Sequence, residues 1–316
     1  MSLALLFSPQ GSQVVGMGRA LAGRFAVARD TFAEADDVLG WAVSDTCWQG
    51  PAEHLADTRQ TQACLLTTSV AAHRAFTERS SVDPAVVAGH SVGEFAALVA
   101  AGVLEFAAAL RLVQRRGTLM HDAGAGGAMA AVIGLSRAEV DAVVGDIGRP
   151  TELVVANDNA PGQVVISGRS EAVASATEPM RAAGARRVVP LPVSGAFHSP
   201  LMSGVADELA TAFDDERWSD AGIPIVSNVT AELLTDAGRI RSLLAEQVRS
   251  PVEWVRCVEA MVGAGVDTAV ECGSGSALVG MLKRIAPGIR AQAATDPESV
   301  DAAAELAQAA VAGAPA

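Results

Sequence analysis

The chain has 316 residues, with 23 Lys plus Arg against 36 Asp plus Glu, and a formal net charge of −13. Half of it is hydrophobic and 19% is charged, which excludes a largely disordered chain; the length suits one large domain or a domain with an insert. The acidic balance argues against a nucleic-acid or membrane-surface binder, since both need a basic footprint.

Short apolar runs alternate with longer helical patterns, the signature of an α/β protein. Leu3–Phe7 reads as a buried strand stopped by Ser8-Pro9-Gln10-Gly11, followed by a helix near Met17–Arg24. That opening run lacks a basic flank and is too short for a signal segment. Thr61–Phe76 is apolar and helix-length. Ala85–Ala88 predicts a second buried strand, Gly89–Gly93 a sharp break, and Glu94–Val103 and Ala107–His121 two helices. Beyond the glycine-rich Gly124–Gly127 the pattern changes. Met129–Leu135, Leu153–Ala156, Gln163–Ser167 and Arg187–Val193 predict strands, with helices at Ala138–Val144 and Glu171–Ala183. That β-α-β-β-α-β order is a ferredoxin-like unit. The expected organisation is a discontinuous large domain with a parallel core sheet, residues 1–125 and 194–316, carrying a small domain at 126–193. Pro224–Ser227 and Thr268–Glu271 predict further core strands, and the tail at 313–316 is expected to fray.

No stretch approaches the ~18 uninterrupted apolar residues of a membrane span. Cys47, Cys64, Cys257 and Cys272 are far apart and form no CxxC pair. They read as small buried hydrophobes rather than as a disulfide framework or metal site. The expected compartment is the cytoplasm, with no metal.

Gly89-His90-Ser91-Val92-Gly93 is the only GxSxG in the chain, and a strand before it with a helix after it makes it a nucleophile elbow. Ser91 then sits at a helix N-terminus, where backbone N–H groups favour developing negative charge. A serine needs a base to take its proton. Of the five histidines, His54 and His73 read as surface or packing residues, His121 closes a helix, and His90 reads as support beside the nucleophile. His198, in the loop Ser194-Gly195-Ala196-Phe197-His198-Ser199 after a strand, stands where α/β folds place reactive side chains. On the residues alone it reads equally as a loop histidine satisfied by local hydrogen bonds.

The chain resembles the malonyl-CoA:acyl-carrier-protein transacylases of fatty-acid synthesis and the acyltransferase domains of polyketide synthases. The resemblance runs from Leu5 to about Ile285. It rests on Gln10-Gly11-Ser12-Gln13, Gln60-Thr61-Gln62, Gly89-His90-Ser91-Val92-Gly93-Glu94, Arg116-Gly117, Asn159-Ala160-Pro161-Gly162-Gln163, Gly195-Ala196-Phe197-His198-Ser199 and Pro251-Val252-Glu253-Trp254. It implies an α/β-hydrolase-like large domain with a ferredoxin-like insert. It also implies a ping-pong malonyl transfer from malonyl-CoA to an acyl carrier protein. Ser91 would be acylated and His198 would be its base, oriented by the backbone carbonyl at Gln247. The N–H groups of Gln10 and Val92 would form the oxyanion hole, and Arg116 would grip the malonyl carboxylate through a planar fork. Phe197 and Val92 go with malonyl over bulkier acyl groups. Met120, four residues after Arg116, shares its helix face and is expected to line the pocket or the core. Asn157 and Asn159 are expected along the phosphopantetheine arm. No cofactor is implied, and a monomer is expected.

Two departures from the family pattern stand out. Ser8-Pro9 replaces Pro-Gly before the Gln-Gly-Ser-Gln run, which puts the placement of Gln10 in question. Cys272-Gly273-Ser274-Gly275 replaces a more usual Gly-Pro-Gly and is expected to affect packing only. An acidic enzyme meeting an acidic carrier needs a local basic patch; Arg186 and Arg187, or Lys283 with Arg284 and Arg290, are the candidates. The competing functions are a thioesterase or editing hydrolase using the same Ser91 and His198, and a catalytically silent carrier-docking module.

Overall fold

The computed structural model describes residues 2–193 and 195–312, so the domain return point at Ser194 and the tail 313–316 lie outside the described residues. Among the described residues ten strands form two sheets. The larger contains β1 (Ser2–Phe7), β2 (Val86–Gly89), β7 (Ile225–Val226), β8 (Leu233–Leu234), β9 (Val266–Cys272) and β10 (Arg290–Ala294). Its order is β10-β9-β1-β2-β7-β8, parallel throughout except for the antiparallel edge strand β8. The continuous apolar run of β1 is what a parallel sheet covered on both faces requires. Leu3, Leu5 and Phe7 enter one core, and Ala4 and Leu6 the core on the opposite face.

The smaller sheet contains β3 (Gly127–Ile133), β4 (Leu153–Ala160), β5 (Gln163–Arg169) and β6 (Arg187–Pro190), all antiparallel in the order β4-β5-β3-β6. Numbered within the unit this is 2-3-1-4, the ferredoxin-like arrangement. Its own core holds Val132, Val140, Val164, Ile166 and Met180. The helix expected over Glu171–Ala183 is broken into Ser170–Ser175 and Thr177–Ala182. Pro179 has no N–H to return to the carbonyl of Ser175, so the first helix stops there. The two sheets are joined by backbone hydrogen bonds across Val252 (Val252 N–H to Ala156 O, 2.8 Å; Asp158 N–H to Val252 O, 3.0 Å). Arg284 adds to the joint, donating to Gln163 Oε1 at 2.7 Å and to the carbonyl of Pro161.

The elbow is the tightest point of the large domain. A Cβ on Gly89 would sit 1.9 Å from the backbone of Gly93, and one on Gly93 would sit 2.2 Å from the carbonyl oxygen of Phe7. Strand end, turn and helix are backbone against backbone, so nothing can yield. Gly93→Ala should therefore destabilise the fold by about 3 kcal/mol, read as a fall in the denaturant midpoint at unchanged slope. A midpoint equal to that of the parent would show that the helix can move off β1.

Candidate active site

Ser91 sits between β2 and the helix Gly93–Ala100 with φ 53°, a left-handed conformation rare for a residue with a Cβ. The strain is held by Asn228, in the loop after β7. Its Oδ1 accepts the Ser91 N–H at 2.7 Å and its Nδ2 donates to the Gly89 carbonyl at 2.7 Å. The turn thereby presents Ser91 Oγ to His198 Nε2 at 2.8 Å. His198 also has positive φ, 57°, and its N–H bonds the Val248 carbonyl at 2.9 Å. The ring's other nitrogen, Nδ1, lies 2.8 Å from the carbonyl oxygen of Gln247. A carbonyl oxygen only accepts, so Nδ1 carries the proton and Nε2 is free to take one from Ser91. Burial, and then the nearby Arg116 charge, push the His198 pKa down to about 3, so the ring is neutral at ordinary pH.

Arg116, on the helix Phe106–Asp122, is among the largest fully buried side chains. Nη1 donates to Gln62 Oε1 at 2.6 Å. Nη2 donates to Ser91 Oγ and to Gln247 Oε1, each at 3.1 Å. Buried Nε has no hydrogen-bond partner. Among the described residues no carboxylate lies within ion-pair distance of this guanidinium. Burial lowers its pKa to about 10, offset in part by Glu94, so it stays a cation. Its negative counterpart is reached through an amide: Gln247 Nε2 donates to Glu94 Oε2 at 2.6 Å while its Oε1 faces Arg116. Glu94 is itself buried, and desolvation raises its pKa to about 7 against the lowering effect of Gln247, Asn228 and Arg116.

Ser91 and His198 open into a cavity of about 180 Å³ whose wall includes Gln10, Met120, Asn157, Asn159 and Phe197. Among the described residues the backbone N–H groups of Gln10 and Val92 donate to no acceptor, whereas those of His90, Ser91, Gly93 and Glu94 are all engaged. Gln10 lines the same cavity as Ser91, and Val92 follows Ser91 in the chain.

The sequence and the fold are matched by known proteins. The acyl transferase domain model matches residues 4–313. The malonyl CoA-acyl carrier protein transacylases of Escherichia coli K12 and Bacillus subtilis are 42% and 40% identical over 305 and 304 residues, covering 96% and 95% of this chain and 99% and 96% of theirs. A solved acyl carrier protein S-malonyltransferase of Vibrio cholerae superposes with a TM-score of 0.92 at 42% identity, covering 96% of this chain and 99% of its own. A malonyl-transacylase solved with a type II polyketide synthase acyl-carrier protein superposes at 0.94 with 41% identity, covering 96% of this chain and 99% of its own.

The chain belongs to the malonyl CoA-acyl carrier protein transacylase family. It is an acyltransferase of α/β architecture, as its sequence leads one to expect. Among the described residues no helix is long and apolar enough to cross a membrane, and no cluster of His, Cys, Asp or Glu could hold a metal ion.

Within this member of the family the expected site residues fall as follows. Met120 lines the cavity and lies 3.4 Å from Gln62 Nε2 through its sulfur. Asn157 lines it as well. Asn159 does too, but its Oδ1 is tied to His90 Nε2 at 2.8 Å, and the His90 ring packs at a tilt against Trp254. Phe197 stands in the wall, whereas the Val92 side chain packs into the large core and does not line the cavity, so of these two only Phe197 borders it. The elbow turns the Val92 side chain into the core. Gln247 lends more than its carbonyl, because its side-chain amide bridges Arg116 and Glu94. Arg284 and Arg290 are engaged with Gln163, Pro161 and Thr268, which leaves them poorly placed as a free basic patch. Cys47, Cys64, Cys257 and Cys272 are buried and unpaired.

Sequence reasoning missed Asn228, and gave Glu94 and Gln62 no role. Each carried a signal. Glu94 is the one charge in the helix Gly93–Ala100, and Asn228 follows core strand β7 at its carboxyl end, where α/β sites assemble. Gln62 is a polar residue in the buried run Thr61–Ala72.

Proposed function

We propose that this enzyme moves a malonyl group from malonyl-CoA to the phosphopantetheine thiol of an acyl carrier protein through a Ser91 acyl-enzyme. The observation that carries the reading is Arg116: a buried cation, 3.1 Å from the nucleophile, held only by neutral acceptors. Its Nε–H is unused, and a carboxylate that displaces one of the neutral acceptors of Nη2 would gain two parallel donors along that edge. Malonyl has a carboxylate beyond the reacting carbonyl; acetyl does not.

In the first half-reaction His198 Nε2 takes the Ser91 proton as Oγ bonds to the thioester carbonyl carbon. The carbonyl oxygen, now negative, is held by the N–H groups of Gln10 and Val92. The C–S bond then breaks, and His198 gives its proton to the coenzyme A thiolate. The second half-reaction reverses these steps with the carrier thiol, which loses its proton to His198 and takes the malonyl group, and Ser91 recovers its hydrogen. Gln247 O keeps the imidazole tautomer fixed throughout. Met120 and Phe197 enclose the acyl chain, and Asn157 lies along the path of the arm. The chain divides into its large and small domains at residues 125/126 and 193/194, works in the cytoplasm and acts as a monomer. The carrier protein is of fatty-acid or polyketide type.

Mass spectrometry of the protein mixed with malonyl-CoA should show one malonyl adduct on Ser91, discharged on adding a malonyl-accepting holo carrier protein. No adduct overturns the reading, and so does malonyl-CoA hydrolysis as fast without carrier as its consumption with it.

A further inference from the structure

The two departures from the family pattern meet in space. Ser8, buried at the end of β1, donates from Oγ to Glu271 Oε1 at 3.1 Å. Glu271 is fully buried at the end of β9, and its other oxygen accepts the Val279 N–H at 2.9 Å. Two residues on, Gly273 has φ 144°, and a Cβ there would lie 2.5 Å from Ser8 Oγ. Next, Ser274 Oγ donates to the carbonyl of Ser12 at 2.7 Å. Ser12 in turn bonds the carbonyl of Pro9 from both its N–H and its hydroxyl. The segment between Ser8 and Ser12 is therefore fastened at both ends to the segment 271–275, and Gln10 is its midpoint.

From this geometry we infer that Ser8, Glu271 and Ser274 are positioning residues that aim the Gln10 N–H at the reacting carbonyl oxygen. The inference rests on the acyl-enzyme reading above. Pro9 restricts φ on one side of Gln10, and Gly11, at φ 99°, turns the chain on the other. Neither contact fixes the height of the loop above Ser91. The two side-chain hydrogen bonds do, because the Glu271 backbone belongs to the sheet and cannot follow the loop. Ser274 is thus more than packing: its hydroxyl makes a bond that no proline at that position could supply. Burial raises the Glu271 pKa to about 7 against its hydrogen bonds from Val279, Leu278 and Ser8, in keeping with a carboxyl kept in place by donors rather than by a cation.

An oxyanion-hole donor contributes about 10²–10³ in rate, so a loop left in place but loosened should lose part of that, about tenfold. The test is single-turnover acylation of the parent, Ser274→Ala and Ser8→Ala with malonyl-CoA and with acetyl-CoA. Expected is an unchanged final amplitude of adduct, which counts folded sites, with the rate about tenfold lower for both donors. The malonyl-over-acetyl preference should stay as it was, because the carbonyl oxygen is common to both. Parent-like rates overturn the inference, as do unequal losses for the two donors or a fall in amplitude at constant rate. A parent that forms no adduct removes the acyl-enzyme reading itself, and this inference with it.

Discussion

His198→Ala should lower the rate of Ser91 acylation by about 10³-fold, within the range of a lost general base. Stopped-flow or quenched acylation measures it, and the adduct should still reach completion slowly. Alanine leaves Ser91 Oγ with only Arg116 Nη2 as a neighbour, a donor that stabilises an alkoxide but removes no proton. A loss below tenfold would show that another group takes the proton. The pH dependence follows from the direction of the shift. His198 is held down to about 3 rather than 6.5, so it is neutral over the whole working range, and acylation should not show an acid limb near 6.5. The base must also gain strength when substrate arrives. Arg116 is the second cause of the depressed value, and a malonyl carboxylate on its Nε and Nη2 cancels part of that field. Binding the correct acyl group thus raises the basicity of the residue that attacks with it. An acid limb centred near 6.5 in the acylation rate with malonyl-CoA would show that the imidazole is less desolvated than its surroundings dictate.

Arg116→Ala should cut kcat/KM for malonyl-CoA by about 100-fold, as expected when one partner of a buried charge pair is truncated. Acetyl-CoA should be used as well as before or better. The carboxylate loses its buried cation, an effect confined to malonyl. The loss of the Nη2 hydrogen bond to Ser91 Oγ and the release of His198 from the Arg116 field act on both donors and in opposite directions. Arg116→Lys keeps the charge but loses the planar fork, and should fall between the two. Acyl-CoA competition by mass spectrometry reads the ratio directly. An unchanged malonyl-to-acetyl ratio in the alanine variant removes Arg116 from carboxylate recognition.

Much of this molecule was readable before any coordinates. The apolar run Leu3–Phe7 announced a central parallel strand, Gly89–Gly93 announced the elbow, and the β-α-β-β-α-β order announced the small sheet. Those features are local: they depend on side-chain period, on glycines at a bend and on the order of elements. The shortfalls were local too. Pro179 divides a helix that its apolar pattern would have continued, and β6 ends at Pro190, short of the expected Val193.

What the chain determined by itself was the α/β fold with its inserted sheet and the elbow at Ser91, because side-chain period and glycines at a bend encode these directly, while His198 and Arg116 stood out as candidate base and cation only through the resemblance to the transacylases. Only the tertiary structure decided that Gln247 faces Arg116 with its oxygen and Glu94 with its nitrogen, that Asn228 holds the strained serine from the far side, and that Ser274 fastens the loop of Gln10. These partners lie 131, 153, 137 and 262 residues apart in sequence. Over such separations no periodicity survives, and a polar side chain finds its partner only after burial has left it no water to choose instead.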